Sequence, residues 1–183
     1  VIGFVPAPDE NQEDVSSTSL PPMVIDADAL RILAEIPNWW KLLPSGSILT
    51  PHPGEMSTLT GLSVEEIQGK RMEVALHFAR EWQQFVILKG ALTVIASPEG
   101  KGYISTCANP SLSRAGSGDI LAGLIAGFLA QGCDPLAASQ LGVWVHGTSG
   151  DLASEDKDAA SIIARDLITQ IPVSIGILRE LTY

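Results

Sequence analysis

The sequence NPSLSRAGSGD, residues 109–119, leads into the apolar run ILAGLIAGFLA, residues 120–130, and this junction decides the fold. It predicts a loop that opens into a helix, because Gly116 and Gly118 permit positive φ angles and Asp119 stands where an N-cap or first-turn residue belongs. The unpaired N–H groups at such a helix start bind anions such as phosphate. Eleven apolar residues are too few to span a bilayer, which needs about 20, so a buried helix is predicted.

The acidic residue at this junction, Asp119, suggests a catalytic role. A carboxylate beside an anion-binding helix start would repel a phosphate unless it handles a proton on the group that reacts. Asp119 is therefore the first candidate for a catalytic residue, although aspartate is also a common helix cap.

Gly123 and Gly127 lie inside the predicted helix, where each glycine lowers helix stability by about 1 kcal/mol relative to alanine. We expect close helix packing to compensate for that cost.

The composition indicates one globular domain that handles small molecules. The chain has 183 residues, of which 45% are hydrophobic and 17% charged, an ordinary globular balance. Its net charge of −10 argues against binding to nucleic acid or acidic membranes but leaves room for a nucleotide pocket. Cys107 and Cys133 form neither a disulfide scaffold nor a zinc pattern. With no recognisable signal peptide or transmembrane run, we expect a cytoplasmic protein with reduced thiols.

Three polar residues each follow a short apolar run that is typical of a buried strand. They are Asp26, His52 and Lys89. Parallel sheets place ligands beyond the carboxyl ends of their strands, so all three are expected at the edge where a site would form. Prolines on both sides hold His52 in a rigid turn, and this favours ligand contact over a core position. A structural role for Asp26 and a solvated surface position for Lys89 remain open alternatives.

The rest of the chain alternates helices with strands. Asp28 is expected to cap the first helix, His146 to be structural, and Pro172 to separate the last two helices. A β-hairpin is predicted over residues 93–106. Residues 1–22 have loop chemistry and are interpreted as an irregular N-terminal segment or remnant, followed by a domain over residues 23–183. In addition to the helix over residues 120–130, helices are predicted over residues 29–36, 63–84, 134–152, 159–171 and 174–181.

With these stretches side by side, the chain resembles the NAD(P)H-hydrate dehydratases, a repair family with a ribokinase-like fold, from about residue 23 to about residue 172. The resemblance rests on four motifs in the family's order: VIDADAL (24–30), LTPHPGE (49–55), LKGALTVI (88–95), and NP followed by GSGDILAG (109–110 and 116–123). It implies an α/β three-layer sandwich with a mostly parallel central sheet. It also implies phosphorylation of the hydroxyl of hydrated NADH or NADPH by ADP or ATP, followed by loss of phosphate.

The same resemblance assigns the site residues. Asp119 would contact the hydrate and take its hydroxyl proton, and His52 would bind the hydrated nicotinamide. Gly116 and Gly118 would form the anion hole. Mg²⁺ is expected to accompany the nucleotide, and no protein ligand is assigned to it. The residues that would hold the adenine nucleotide are Lys89, Gly90, Ala91, Leu92, Thr93 and Gly118.

Two departures from the family pattern qualify this assignment. Ala115 stands where the family usually has a second glycine. Family members also carry glycine-rich loops ahead of the first motif, and residues 1–22 contain none, so we expect the chain to correspond to the carboxyl-terminal part of the domain. A homo-oligomer, or association with an N-terminal portion, would then complete it.

Two other functions are compatible with these motifs. A ribokinase-like small-molecule kinase would also use Asp119 and the anion hole, because its reaction too begins by phosphorylating a hydroxyl. A nucleotide-binding module would have the same fold but no catalytic activity. The motif PHPGE over residues 51–55 favours the dehydratase.

Overall fold

The computed structural model describes residues 20–155 and 157–181, so most of the predicted irregular N-terminal segment lies outside the described residues. Within them, five strands form one sheet whose spatial order follows the chain. The first three strands are parallel, and the fourth and fifth form the predicted antiparallel hairpin. Four of the five strands therefore run in the same direction, as the mostly parallel prediction requires. The strands are β1 (Val24–Ile25), β2 (Ile48–Leu49), β3 (Phe85–Leu88), β4 (Val94–Ala96) and β5 (Gly102–Ile104).

Helices cover both faces of the sheet and complete a three-layer sandwich. Along β3, Val86 and Leu88 join a core with Trp82 of α4, whereas Ile87 joins a core with Ile125 of α5 on the opposite face. This alternation is the two-residue period of a strand buried on both sides. The helices are α1 (Asp28–Ala34), α2 (Pro53–Thr60), α3 (Val64–Gly69), α4 (Arg71–Trp82), α5 (Ser117–Ala130), α6 (Pro135–Ala153) and α7 (Ala164–Glu180).

Three local predictions about helices are wrong. The single helix predicted over residues 63–84 is interrupted at Lys70, whose φ of −137° and ψ of 39° separate α3 from α4. Pro172 does not divide two helices but lies inside α7, on its exposed side, where solvent can hydrate the carbonyl that loses its partner. Asp28 is the first residue of α1 rather than its cap. The N-cap of α1 is Ala27, which has a φ of 51° and forms no side-chain hydrogen bond to the helix.

The glycines inside α5 also differ from expectation. A Cβ atom added at Gly123 or Gly127 would meet no described atom within 4 Å, so close packing does not explain them in this part of the chain. Instead they line an open apolar groove between α5 and α7. None of the described helices is both long enough and apolar enough to cross a membrane.

Candidate active site

A cavity of about 430 Å³ opens at the carboxyl edge of the parallel strands. Asp26 directly follows β1, His52 comes three residues after the end of β2, and Lys89 directly follows β3, and all three line this cavity. The first turn of α5 closes another side through Gly116 to Asp119. The structure therefore brings together residues from four separate motifs, as expected for ligand sites in parallel sheets.

The start of α5 has the geometry of an anion-binding site. Gly116 caps the helix with a φ of 83°, a conformation that glycine adopts without strain. The first intrahelical bond runs from the Ile120 N–H to the Gly116 carbonyl at 3.3 Å. No group in the described ranges accepts a hydrogen bond from the N–H of Gly118 or Asp119. These two donors are available to a phosphate oxygen.

Gly118 lies next to the charged pair formed by Lys89 and Asp26. It is not among the glycines with a positive φ, so it does not use the conformational freedom that glycine permits. A Cβ atom there would lie 3.4 Å from Lys89 Nζ and 3.6 Å from Asp26 Oδ2, which are ordinary van der Waals distances. The helix start and this pair of charged groups are therefore in contact range of each other.

Lys89 is held by carboxylates rather than solvated on the surface. Its Nζ lies 2.5 Å from Asp26 Oδ1 and 3.7 Å from Glu55 Oε2. The side chains of Lys89 and Asp26 are only 18% and 12% exposed, so the ion pair is weakly screened by solvent. This pairing gives Asp26 a structural role and places an ammonium group near the first turn of α5.

Asp119 lies in the first turn of α5 and lines the cavity. It does not cap the helix, because Gly116 occupies the N-cap. Within residues 20–155 and 157–181, its carboxylate forms no hydrogen bond or ion pair. The group is therefore available to a bound ligand.

His52 both caps α2 and faces the cavity. Its Nδ1 accepts hydrogen bonds from the N–H groups of Gly54 at 3.0 Å and Glu55 at 3.1 Å. Nδ1 is therefore the acceptor nitrogen, and the ring proton of the neutral form lies on Nε2. Glu55 Oε1 is 3.3 Å from that nitrogen, and the Glu55 side chain also accepts the His52 backbone N–H. The orientation of the ring is thus set by its own helix.

The predicted nucleotide segment lies along one rim of the cavity. Lys89, Gly90, Ala91 and Thr93 line it. Leu92 does not, and this residue is 48% exposed. Four of the five residues from 89 to 93 thus face the cavity.

Sequence reasoning missed the part that His146 plays in this site. His146 of α6 lines the cavity, and its Nε2 lies 2.8 Å from the Oγ of Ser117 in the first turn of α5. Burial lowers the pKa of His146 to about 4, and the nearby charge of Lys89 acts in the same direction. The imidazole is therefore neutral at pH 7. No local sequence pattern predicts this contact, because its two partners lie 29 residues apart in the chain.

Comparison with known proteins agrees with the family that the sequence motifs resemble. The sequence profile of a family described as NAD(P)H-hydrate dehydratase matches residues 7–173. The chain is 44% identical over 159 residues to a bifunctional NAD(P)H-hydrate repair enzyme from Moorella thermoacetica, a match that covers 87% of this chain and 30% of that protein.

Solved structures agree. An ADP/ATP-dependent NAD(P)H-hydrate dehydratase from Bacillus subtilis, co-crystallized with ATP and Mg²⁺ and soaked with CoA, superimposes with a TM-score of 0.76 at 36% identity, over 85% of this chain and 56% of that chain. A ribokinase-like superfamily protein from Enterococcus faecalis gives a TM-score of 0.69 at 23% identity, over 85% of this chain and 52% of that one. The fold is therefore ribokinase-like, as predicted. The chain spans less than two thirds of the length of each of these three proteins.

The buried imidazole predicts a pH-dependent stability. As pH falls below 6.5, the usual pKa of histidine, the unfolded chain takes up a proton that folded His146 accepts only near pH 4. The free energy of unfolding should therefore decrease between those values, by up to about 3 kcal/mol. His146→Gln keeps a polar group but cannot titrate. We expect denaturant titrations from pH 7 to pH 4 to show a steeper loss for the wild type than for this variant, and parallel curves would contradict the prediction.

Proposed function

The chain belongs to the NAD(P)H-hydrate dehydratase family, and we propose that it removes water from hydrated NADH or NADPH in a reaction that consumes an adenine nucleotide. One observation carries the proposal. The available carboxylate of Asp119 lies in the same helix turn as the unpaired N–H groups of Gly118 and Asp119, with the Lys89 ammonium beside them. A proton acceptor and an anion site therefore stand together, and transfer of phosphate to a hydroxyl requires both.

The proposed reaction has two steps. Asp119 accepts the hydroxyl proton of the hydrate as the hydroxyl oxygen forms a bond to the terminal phosphorus of ADP or ATP. The bond from that phosphorus to the rest of the nucleotide breaks, which releases AMP or ADP. The carbon–oxygen bond of the phosphorylated hydrate then breaks, phosphate leaves with the bonding electrons, and a ring proton is lost from the adjacent carbon. The double bond of the nicotinamide ring is thereby restored.

The residues of the cavity suit the roles proposed for them. The N–H groups of Gly118 and Asp119 would bind the transferred phosphate next to the ammonium of Lys89. The cap geometry of His52 directs its ring toward the cavity, where it would contact the hydrated nicotinamide. The segment from Lys89 to Thr93 would hold the adenine nucleotide.

Magnesium fits this donor set. Mg²⁺ is usually held by one or two carboxylates together with substrate phosphates and water, so a dedicated cage of protein ligands is not required. Asp26, whose Oδ2 lies near Gly118, supplies a carboxylate oxygen on the wall of the cavity. When bound, the ion would neutralise the charge that develops on the phosphates.

We also propose a cytoplasmic location. The net negative charge of the chain and its two free cysteines suit that location.

We further propose that the sheet continues beyond β1. In the described part of the chain β1 pairs only with β2, so its other edge is unpaired. An apolar groove beside it is lined by Pro22, Val24 and Leu129, among others. An interior strand of a parallel sheet needs a neighbour on each side, and unpaired edges promote association. Another segment, either covalent or supplied by an oligomer, would cover this edge and add a wall to the site.

The first test measures conversion of the hydrate. The intact protein, given ADP or ATP and Mg²⁺, should restore the nicotinamide absorbance of hydrated NADH. Asp119→Asn keeps the size of the side chain but removes the base, so turnover should fall by roughly 10² to 10⁴ while nucleotide affinity largely survives. Near-normal turnover in this variant would exclude Asp119 as the base. A stable phosphorylated alcohol without any conversion of the hydrate would instead favour a small-molecule kinase.

A second test separates the two roles of His52. His52→Ala removes both the imidazole and the helix cap, whereas His52→Asn keeps a capping oxygen. If the ring binds the hydrate, both variants should raise the KM for hydrated NADH by about ten-fold, the effect of one lost hydrogen bond. A normal KM in His52→Asn, with a lower melting temperature only in His52→Ala, would show that His52 is only a cap.

A third test concerns the edge of the sheet. We expect the 183-residue chain either to form an oligomer or to require an associated N-terminal segment for full turnover. Light scattering and mass spectrometry on the purified material would measure its assembly. A monomer of 19.3 kDa with full dehydratase turnover would overturn the proposal.

A further inference from the structure

Arg71, the first residue of α4, forms hydrogen bonds with the backbone at the end of β3 and in the segment that follows it. Its Nη2 donates hydrogen bonds to the carbonyl oxygens of Leu88 at 2.8 Å, Lys89 at 3.2 Å and Leu92 at 3.2 Å. Its Nη1 donates to Gln68 Oε1 at 2.7 Å, which orients the guanidinium from the end of α3. One side chain from another layer of the fold thus holds both ends of the segment assigned to the nucleotide.

This placement carries an electrostatic cost. Partial burial lowers the pKa of Arg71, and its Nε is buried without a hydrogen-bond partner. Over the ranges that the structure describes, no carboxylate forms an ion pair with it, so neutral carbonyl groups alone satisfy the guanidinium. Desolvating a charge without an opposite charge is unfavourable for folding. The contact is better explained by what it does for the segment than by stability.

Gly90 is the residue that makes this contact possible. A Cβ atom at position 90 would lie 2.7 Å from Arg71 Nη2 and 3.0 Å from its Cζ, which is too close without displacing the guanidinium. Gly90 is not among the glycines with a positive φ, so its backbone does not require glycine. The small size of Gly90 and the reach of Arg71 therefore belong to one arrangement.

Between its two ends the segment has few other contacts that would order it, and residues 90–92 are exposed. At one end Lys89 forms its ion pair with Asp26, and its N–H donates to the Pro51 carbonyl at 2.8 Å. At the other end the Thr93 carbonyl accepts a hydrogen bond from the Ser105 N–H at 2.8 Å, and the Thr93 hydroxyl donates to the Gly90 carbonyl at 3.1 Å. A ligand that binds a disordered segment must offset the entropy of ordering it, so a segment that is already ordered binds more tightly.

We propose that Arg71 is a positioning residue for the adenine nucleotide, which fixes the carbonyls of Leu88, Lys89 and Leu92 and so holds residues 89–93 in their binding conformation. The inference rests on the proposed function for the assignment of the nucleotide to this segment. Arg71 itself does not line the cavity.

Nucleotide affinity tests the proposal directly. Titration calorimetry with ADP should show that Arg71→Ala weakens binding by about 10- to 100-fold, because the ligand must then order the segment. The affinity for hydrated NADH should change much less. Arg71→Lys keeps the charge but has one donor group in place of the fork, so it should recover only part of the loss.

A matched control lies on the same helix. Arg80 of α4 packs against the turn at Gly100, far along the helix from residues 89–93. Arg80→Ala is therefore expected to leave ADP affinity within about two-fold of the wild type. Equal losses in the two alanine variants would show a general effect on α4 and would overturn the proposal.

The pairing of Arg71 with Gly90 supplies an independent test that does not rely on a single variant. Gly90→Ala should weaken ADP binding by displacing the guanidinium, even with Arg71 present. If the two residues form one arrangement, the double variant Arg71→Ala/Gly90→Ala should lose little more affinity than either single variant. Losses that multiply in the double variant would show that the residues act separately and would contradict the inference.

A measurement without nucleotide separates this inference from the proposed function. NMR order parameters for the amides of residues 90–92 should fall from about 0.85 in the wild type to below about 0.6 in Arg71→Ala, and should stay high in Arg80→Ala. Unchanged order parameters would refute the positioning role whatever the ligand is. If the wild type binds no ADP, the proposed function fails and the nucleotide role of Arg71 falls with it. If the wild type binds ADP and Arg71→Ala binds it equally well, only the inference about Arg71 is wrong.

Discussion

The ion pair between Lys89 and Asp26 connects the sheet to the helix that forms the candidate site. It links the ends of β1 and β3, and its atoms approach the position of Gly118 in the first turn of α5. A largely buried ion pair contributes little net stability, because desolvation offsets much of the attraction, but it fixes where its charges lie. Here it holds an ammonium group at the helix start, where we propose that the transferred phosphate binds. The parallel pairing of the first three strands is what brings these chain-distant groups to one edge.

The candidate site combines groups whose charge states differ for physical reasons. The carboxylate of Asp119 is exposed and has no partner within the described residues, whereas the imidazole of His146 is buried and neutral at pH 7. The helix N-terminus adds partial positive charge from its unpaired N–H groups. A chain with a net charge of −10 thus contains a local environment suited to an anion. Overall charge describes the surface of a protein and does not determine the potential inside one cavity.

Local sequence patterns predicted most of the elements and failed where tertiary contacts compete with them. The hairpin of β4 and β5 is as predicted, because turn residues act over a few positions. The predicted helix over residues 63–84 is divided at Lys70, and the next residue, Arg71, donates a hydrogen bond to the carbonyl of Leu88 at the end of β3. α7 continues through Pro172 because that residue lies on its exposed side. The catalytic role of Asp119 and the hydrate-binding role of His52 stay predictions.

The sequence by itself determined the fold class, the position of each motif at a strand or helix end, and the family. The positions of the motifs follow from periodicity and from residue types that act within a few positions along the chain. The fold class and the family follow from the resemblance of the four motifs to one known family. Only the tertiary structure decided that Lys89 pairs with Asp26, that His146 contacts Ser117, and that Arg71 holds the carbonyls beyond β3. The partners in these contacts lie 17 to 63 residues apart. Which side chains meet over such separations depends on how whole helices pack on the sheet, and no local pattern encodes that packing.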